Sequence, residues 1–169
     1  GGTSAAADPI IVHPDVRRML LTQKALIEAA RVLTYFAGMQ MDRALHHPDA
    51  AERERAEGLL AILTPVVKGF VTDMSLECTS EAIQIHGGHG YVRETGVEQY
   101  FRDARITMIY EGANGIQALD LLGRKVLGSG GVLARQLGGL IGGFCERHSN
   151  SGEHAEFVAR LAGLLKEWA

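Results

Sequence analysis

The sequence predicts an all-α protein built as an antiparallel helical bundle. Three observations carry this expectation. Apolar residues recur at mostly three- and four-residue steps through two long segments, the period of a helix with one buried face. No apolar–polar alternation of strand length occurs. Glycine, proline and histidine clusters separate the periodic segments: "HHPDA" at 46–50, "HGGHG" at 86–90 and "GSGG" at 128–131. A helix of about 30 residues reaches about 45 Å at 1.5 Å per residue, and it buries little unless another helix lies beside it.

In chain order, residues 1–12 form a flexible opening rich in small side chains. The helical pattern starts near Asp15, a candidate cap after Pro14, and runs through Val16, Met19, Leu20, Leu26, Leu33 and Phe36 to about Leu45. Asp49 is the candidate cap of a second helix over 51–85, with Leu59, Leu63, Val66, Val67, Phe70, Val71 and Met74. Pro65 lies inside it, so a kink is expected there, or a restart capped by Thr64. Glycines at 87 and 88 end this helix. A helix over about 96–109 follows, and Asn114 is the candidate cap of another through about Leu127. After the linker, two short helices are expected over about 132–147 and 153–168, separated by "HSNSG". The domain expectation is 1–12 flexible, 13–127 bundle, and 128–169 a linker with the start of a helical extension.

The 169 residues fit one domain, and at 46% hydrophobic residues they can build a core. Seventeen Lys and Arg are scattered among 20 acids, with no basic run or stripe, so nucleic acid is not an expected partner. No window of about 18 uncharged apolar residues exists, so no membrane span is expected. The nearest approach on this reading is "GGVLARQLGGLIGGF", whose glycine pairs suit close helix packing instead. Cys78 and Cys145 sit far apart in apolar surroundings and are expected as buried free thiols, which fits a reducing, cytoplasmic setting. The chain opens without Met and ends within a helical pattern, and both ends suggest a piece of a longer protein.

Two places carry chemistry. In "QIHGGHGY" (84–91), consecutive glycines after a long helix leave backbone N–H groups bare, and such concavities attract phosphate oxygens. His86 and His89 alone offer too few ligands for a metal, so none is expected. Glu111 in "RITMIYEGANGIQALDLLGRKVL" lies between the apolar run Ile106, Met108, Ile109, Tyr110 and a turn at Gly112 and Gly115. If buried there, its carboxylate has a raised pKa and suits general-base work, although capping a helix is the structural alternative.

Taken together, "QIHGGHGYVRETGVEQYFRDARITMIYEGANGIQ" resembles the C-terminal helical domain of the acyl-CoA dehydrogenase family. The order is a Q-x-x-G-G-x-G-[YF] turn, an R-D-A-[KR]-I helix, then I-Y-E-G. Residues 13–127 follow that family's layout. The tail "GIQALDLLGRKVL" resembles the branch that includes 3-(methylthio)propanoyl-CoA dehydrogenases, which carry extra C-terminal helices.

The resemblance implies an FAD-dependent α,β-dehydrogenation of an acyl-CoA to a trans-2-enoyl-CoA. Glu111 stands at the position of the base that removes the α-proton, while the β-hydrogen leaves as hydride to the flavin. Tyr110 and Gly112 match the thioester site. Gln84, Gly87 and Gly88 match positions that contact the ADP portion of FAD from a neighbouring subunit. The family usually has Thr after E-G and often Gln two residues later; Ala113 and Gly115 stand there instead, so those FAD contacts are absent or replaced. The implied partners are an acyl-CoA, an electron-transfer flavoprotein or similar acceptor, and further copies of the chain in a dimer or tetramer. FAD is not expected to stay on this fragment alone, because most of the flavin site lies in absent domains. The alternative is a non-catalytic helical oligomerisation module of the same fold.

Overall fold

A computed structural model describes residues 7–150 and 152–168. Residues 1–6 of the expected flexible opening and Ser151 of the expected "HSNSG" separator lie outside the described residues. Among the described residues there is no strand, as the periodicity predicts. The helices are α1 (Pro14–His46), α2 (Ala50–His86), α3 (Gly88–Tyr91), α4 (Val97–Thr107), α5 (Asn114–Leu119), α6 (Val132–His148) and α7 (Ala155–Trp168). A π-helical segment, Asp120–Leu127, continues α5.

The opening of α1 corrects the expected cap. Pro14 is its first residue, where a missing N–H costs nothing. Asp15 lies within the first turn, and Arg18 Nε donates to it at 3.0 Å. At α2 the expected cap is present: the Ala51 N–H donates to Asp49 Oδ1 at 2.9 Å. Pro65 does not restart the helix, because α2 runs unbroken through it. Thr64 caps nothing; its hydroxyl donates back to the Leu60 carbonyl at 2.7 Å.

The chain divides into two compact units, and both long helices pass through each. One unit is the chain up to Phe36 together with Val66–Gln117. In it the first part of α1 runs beside the second part of α2, tied by Arg18 to Glu81 at 3.3 Å. Met19, Met74, Cys78 and Ala104 are buried here. Burial pushes the Cys78 thiol pKa up, and the nearby Glu77 and Glu81 charges add to this.

The other unit is Ala37–Pro65 and the chain from Ala118 on. Its core holds Ala56, Leu59, Ile62, Leu63, Cys145 and Val158. Two glycines of "GGVLARQLGGLIGGF" serve packing here: a Cβ at Gly138 or Gly142 would lie 3.6 Å from Leu165 of α7. Gly58 of α2 leaves room for Gln136, whose amide donates to the Arg55 carbonyl at 2.6 Å. The closest approach to a membrane-length window is α2, not this segment; α2 contains an 18-residue window of mean hydropathy 1.5 with no more than two charged residues.

Candidate functional site

Both sequence-predicted clusters lie in the unit that contains α4. The first is the turn between α4 and α5. Helix α4 ends at Thr107, earlier than its apolar pattern suggests. The Asn114 N–H then donates to the Met108 carbonyl at 3.1 Å and closes a loop around Tyr110, Glu111 and Gly112. Glu111 has φ +53°, and among the described residues it is the one non-glycine in the left-handed region. That conformation costs a residue with a Cβ about 1–2 kcal/mol, so the surroundings must hold it. Gly112 follows at φ +87°, and a Cβ there would lie 2.7 Å from Gln117 Nε2. Gln117 donates to the carbonyls of Glu111 at 3.4 Å and Gly112 at 3.3 Å.

The expected burial of Glu111 is not met within this chain: its side chain is exposed. So are its apolar neighbours, Ile106 and Ile109 at 52% and Tyr110 at 48%. The turn therefore presents a carboxylate on an open apolar surface.

Asn114 does not cap α5 as expected. The Ala113 carbonyl instead accepts from the N–H groups of Ile116 at 2.7 Å and Gln117 at 3.1 Å. The Asn114 side chain crosses to α2. Its Oδ1 accepts from Lys68 Nζ at 2.9 Å, and its Nδ2 donates to Asp73 Oδ1 at 2.7 Å and Thr72 Oγ1 at 2.9 Å. The sequence reading missed these residues. Their one local signal is a break in apolar character, as Lys68, Thr72 and Asp73 interrupt the mostly apolar run from Leu59 to Met74 in α2.

The second cluster is the glycine turn after α2. Gln84, Gly87 and Gly88 are all exposed. Gly87, at φ +56° and ψ −142°, occupies a region open in practice to glycine alone. Gly88 begins α3, where a Cβ would meet nothing within 4 Å. Gly90 is buried, and its Cβ would lie 2.6 Å from the Ile83 carbonyl. His86 is committed locally, with Nδ1 2.8 Å from the Ala82 carbonyl. Gln84 lies twelve residues beyond Thr72 on α2, about 18 Å along a helix axis. The two clusters thus stand at different levels of the helix. Between α4 and the glycine turn runs an open groove of about 700 Å³, lined by Ile83, Tyr91, Arg93, Phe101 and Arg105 among others.

The family model described as acyl-CoA dehydrogenase, C-terminal domain, matches residues 2–127. The chain belongs to the acyl-CoA dehydrogenase family. It is 49% identical over 95% of its length to a 3-methylmercaptopropionyl-CoA dehydrogenase of Ruegeria pomeroyi, covering 27% of that protein. It is 38% identical to a butyryl-CoA dehydrogenase of Syntrophomonas wolfei, over 95% of this chain and 26% of that one. It is 35% identical to a broad-specificity linear acyl-CoA dehydrogenase of Mycobacterium tuberculosis, over 92% of this chain and 26% of that one. The chain thus spans about a quarter of the length of these acyl-CoA dehydrogenases. A solved structure titled "Bd2924 apo-form" shares the fold at TM-score 0.71 and 24% identity, covering 96% of this chain and 34% of that one.

Proposed function

We propose that this chain carries the proton-abstracting base of an FAD-dependent acyl-CoA dehydrogenase, and that the base is Glu111. The observation that carries the reading is the turn. A carboxylate stands on an exposed apolar patch at φ +53°, a strained conformation in a loop closed by the Asn114 N–H on the Met108 carbonyl and held by Gln117 on the Glu111 carbonyl. Once an acyl chain and a second wall cover Ile106, Ile109 and Tyr110, water leaves the carboxylate and the base is set directly against the α-carbon. Glu111 then takes the α-proton of the thioester. Its backbone N–H donates to the thioester carbonyl, which makes that proton more acidic. Tyr110 and Gly112 line the same place. The product is a trans-2-enoyl-CoA.

The residues present fit part of FAD. Gly88 leaves an unfilled space where backbone can approach a phosphate, and Gln84 offers an exposed amide. We assign Gln84, Gly87 and Gly88 to its ADP portion. Bound there, FAD would supply the acceptor for the β-hydrogen, which leaves as hydride with its two electrons, and an electron-transfer flavoprotein or similar protein would then reoxidise it. The separation between the two clusters along α2 suits a flavin shared between the subunits of a homo-oligomer, and the free thiols Cys78 and Cys145 suit the reducing cytoplasm.

In the whole protein, Glu111→Gln should retain flavin and slow its reduction by acyl-CoA by about 10²–10⁴-fold. Flavin bleaching at the wild-type rate would remove Glu111 from the mechanism. This chain alone, mixed with excess FAD and desalted, should emerge colourless, since a cofactor site buries about 70–90% of its ligand and both clusters here are open. A stoichiometric yellow fraction that acyl-CoA bleaches would show that the bundle alone carries the site.

A further inference from the structure

We infer that Asn114, together with Lys68, Thr72 and Asp73 of α2, is a clamp that holds Glu111 in its left-handed conformation, making these four positioning residues for the base. The inference rests on the assignment of Glu111 above, but its geometry stands apart from that assignment.

The Asn114 amide is read from both ends by charge. Its oxygen faces the Lys68 ammonium at 2.9 Å, and its nitrogen faces the Asp73 carboxylate at 2.7 Å. A flipped amide would set oxygen against carboxylate and NH₂ against ammonium, so these neighbours permit one orientation. Thr72 agrees with it. Its hydroxyl donates to the Lys68 carbonyl at 2.7 Å and lies 2.9 Å from Asn114 Nδ2 and 3.2 Å from Oδ1, so it accommodates the orientation that Lys68 and Asp73 set. The Gly69 carbonyl accepts from Nδ2 as well, at 3.2 Å.

The same residue closes the loop through its backbone. With its side chain fixed on α2, the Asn114 N–H is set against the Met108 carbonyl at 3.1 Å. Everything between these two points, Glu111 included, must span a fixed gap. Gln117 then holds the middle of the loop by the carbonyls of Glu111 and Gly112. A residue with a Cβ leaves the left-handed region when nothing holds it. This network is what holds it, and it draws on a helix more than forty residues away, which a local turn would not need.

The test has two arms. In this chain, NMR reads the φ-dependent three-bond coupling of Glu111 and the exchange of the Asn114 N–H. Asn114→Ala should move the coupling away from its left-handed value and speed that exchange about tenfold or more. Asn114→Asp should do the same, because it sets a second carboxylate against Asp73. Adding Asp73→Asn to Asn114→Asp restores an amide facing a carboxylate, and should recover both readings. General destabilisation would not be rescued by that reciprocal swap.

In the whole protein, Asn114→Ala should lower the flavin-reduction rate by about 10–100-fold, with acyl-CoA affinity and flavin content nearly unchanged. An unchanged Glu111 coupling in Asn114→Ala, or a double variant no better than Asn114→Asp, would overturn the clamp. If Glu111→Gln leaves flavin reduction intact while the NMR arm behaves as stated, the clamp stands and the base assignment falls.

Discussion

The glycine turn after α2 and the Glu111 turn after α4 are both built around residues of positive φ, but they hold them by different means. At residues 86–91 every link is short in sequence. The Gly87 N–H reaches the Gln84 carbonyl at 3.1 Å, the Gly90 N–H reaches Gly87 at 3.0 Å, and the Thr95 hydroxyl reaches the His89 carbonyl. Glycine makes the conformation inexpensive, so nothing distant is needed. At residues 108–114 the strained position is a glutamate, and side chains of α2 brace its loop through Asn114. A turn that only has to bend uses glycine. A turn that must present a particular side chain from a left-handed residue requires support from elsewhere in the fold.

The glycines themselves differ in the same way. Gly90 has an internal reason, since the Ile83 carbonyl occupies the place of a Cβ. Gly88 has none within the chain, as the space is open. That contrast is best tested by paired substitution. Gly90→Ala should show the largest effect, about 1–3 kcal/mol of destabilisation in denaturant unfolding, because backbone must shift to admit the methyl. A loss below about 0.5 kcal/mol would show that α3 is looser than this geometry.

Glu111→Gly should act in the opposite direction. It relieves a left-handed residue and stabilises the chain by up to about 1 kcal/mol, less the backbone entropy that glycine adds. It would at the same time remove the carboxylate. A clear loss of stability would mean that the Glu111 side chain itself supports the turn.

Gly88→Ala should change the stability of this chain by no more than about 0.5 kcal/mol, as surface changes usually do. In the whole protein it should still weaken flavin retention, if the space beside Gly88 admits a phosphate. Equal flavin content in variant and wild type would leave that glycine without an external role.

The smallest expected effect is a pH dependence away from both turns. The Cys78 pKa is raised in the folded chain, first by burial. Below the ordinary thiol pKa of about 8.5 the group is neutral folded and unfolded, and its contribution is fully present. As pH rises beyond that value the unfolded chain ionises first, and stability is lost until the folded pKa is passed. Unfolding followed above pH 8.5 should therefore show a decline that is shallower in Cys78→Ala. Parallel curves for the two proteins would assign the decline to other groups.

The helices were legible in the sequence because their determinant is local. Apolar spacing and the punctuation at 46–50, 86–90 and 128–131 locate the segments to within a few residues. The expected cap of α2 at Asp49 is present because a cap needs only its own next few residues. The motif order that marks the acyl-CoA dehydrogenase family is likewise linear, and the family match covers it. Glu111, Tyr110, Gly112, Gln84, Gly87 and Gly88 could be singled out from it, although their roles stay proposals.

What tertiary structure decided departs from local rules wherever distant groups compete with near ones. Pro65 lacks the N–H that a helix interior uses, at a cost of about 3 kcal/mol, yet it is buried and α2 passes through it. Asn114 has the chemistry of a cap, but Lys68 and Asp73 offer charged partners, and charge-assisted bonds outweigh a neutral cap. Apolar flanks suggested that Glu111 is buried, whereas the chain leaves it exposed, because burial depends on what lies opposite. Sequence alone determined where the chain turns and which side chain the turn displays. The strained backbone that aims this side chain, and the helix that restrains it, exist only once residues 68–73 and 108–117 are brought together.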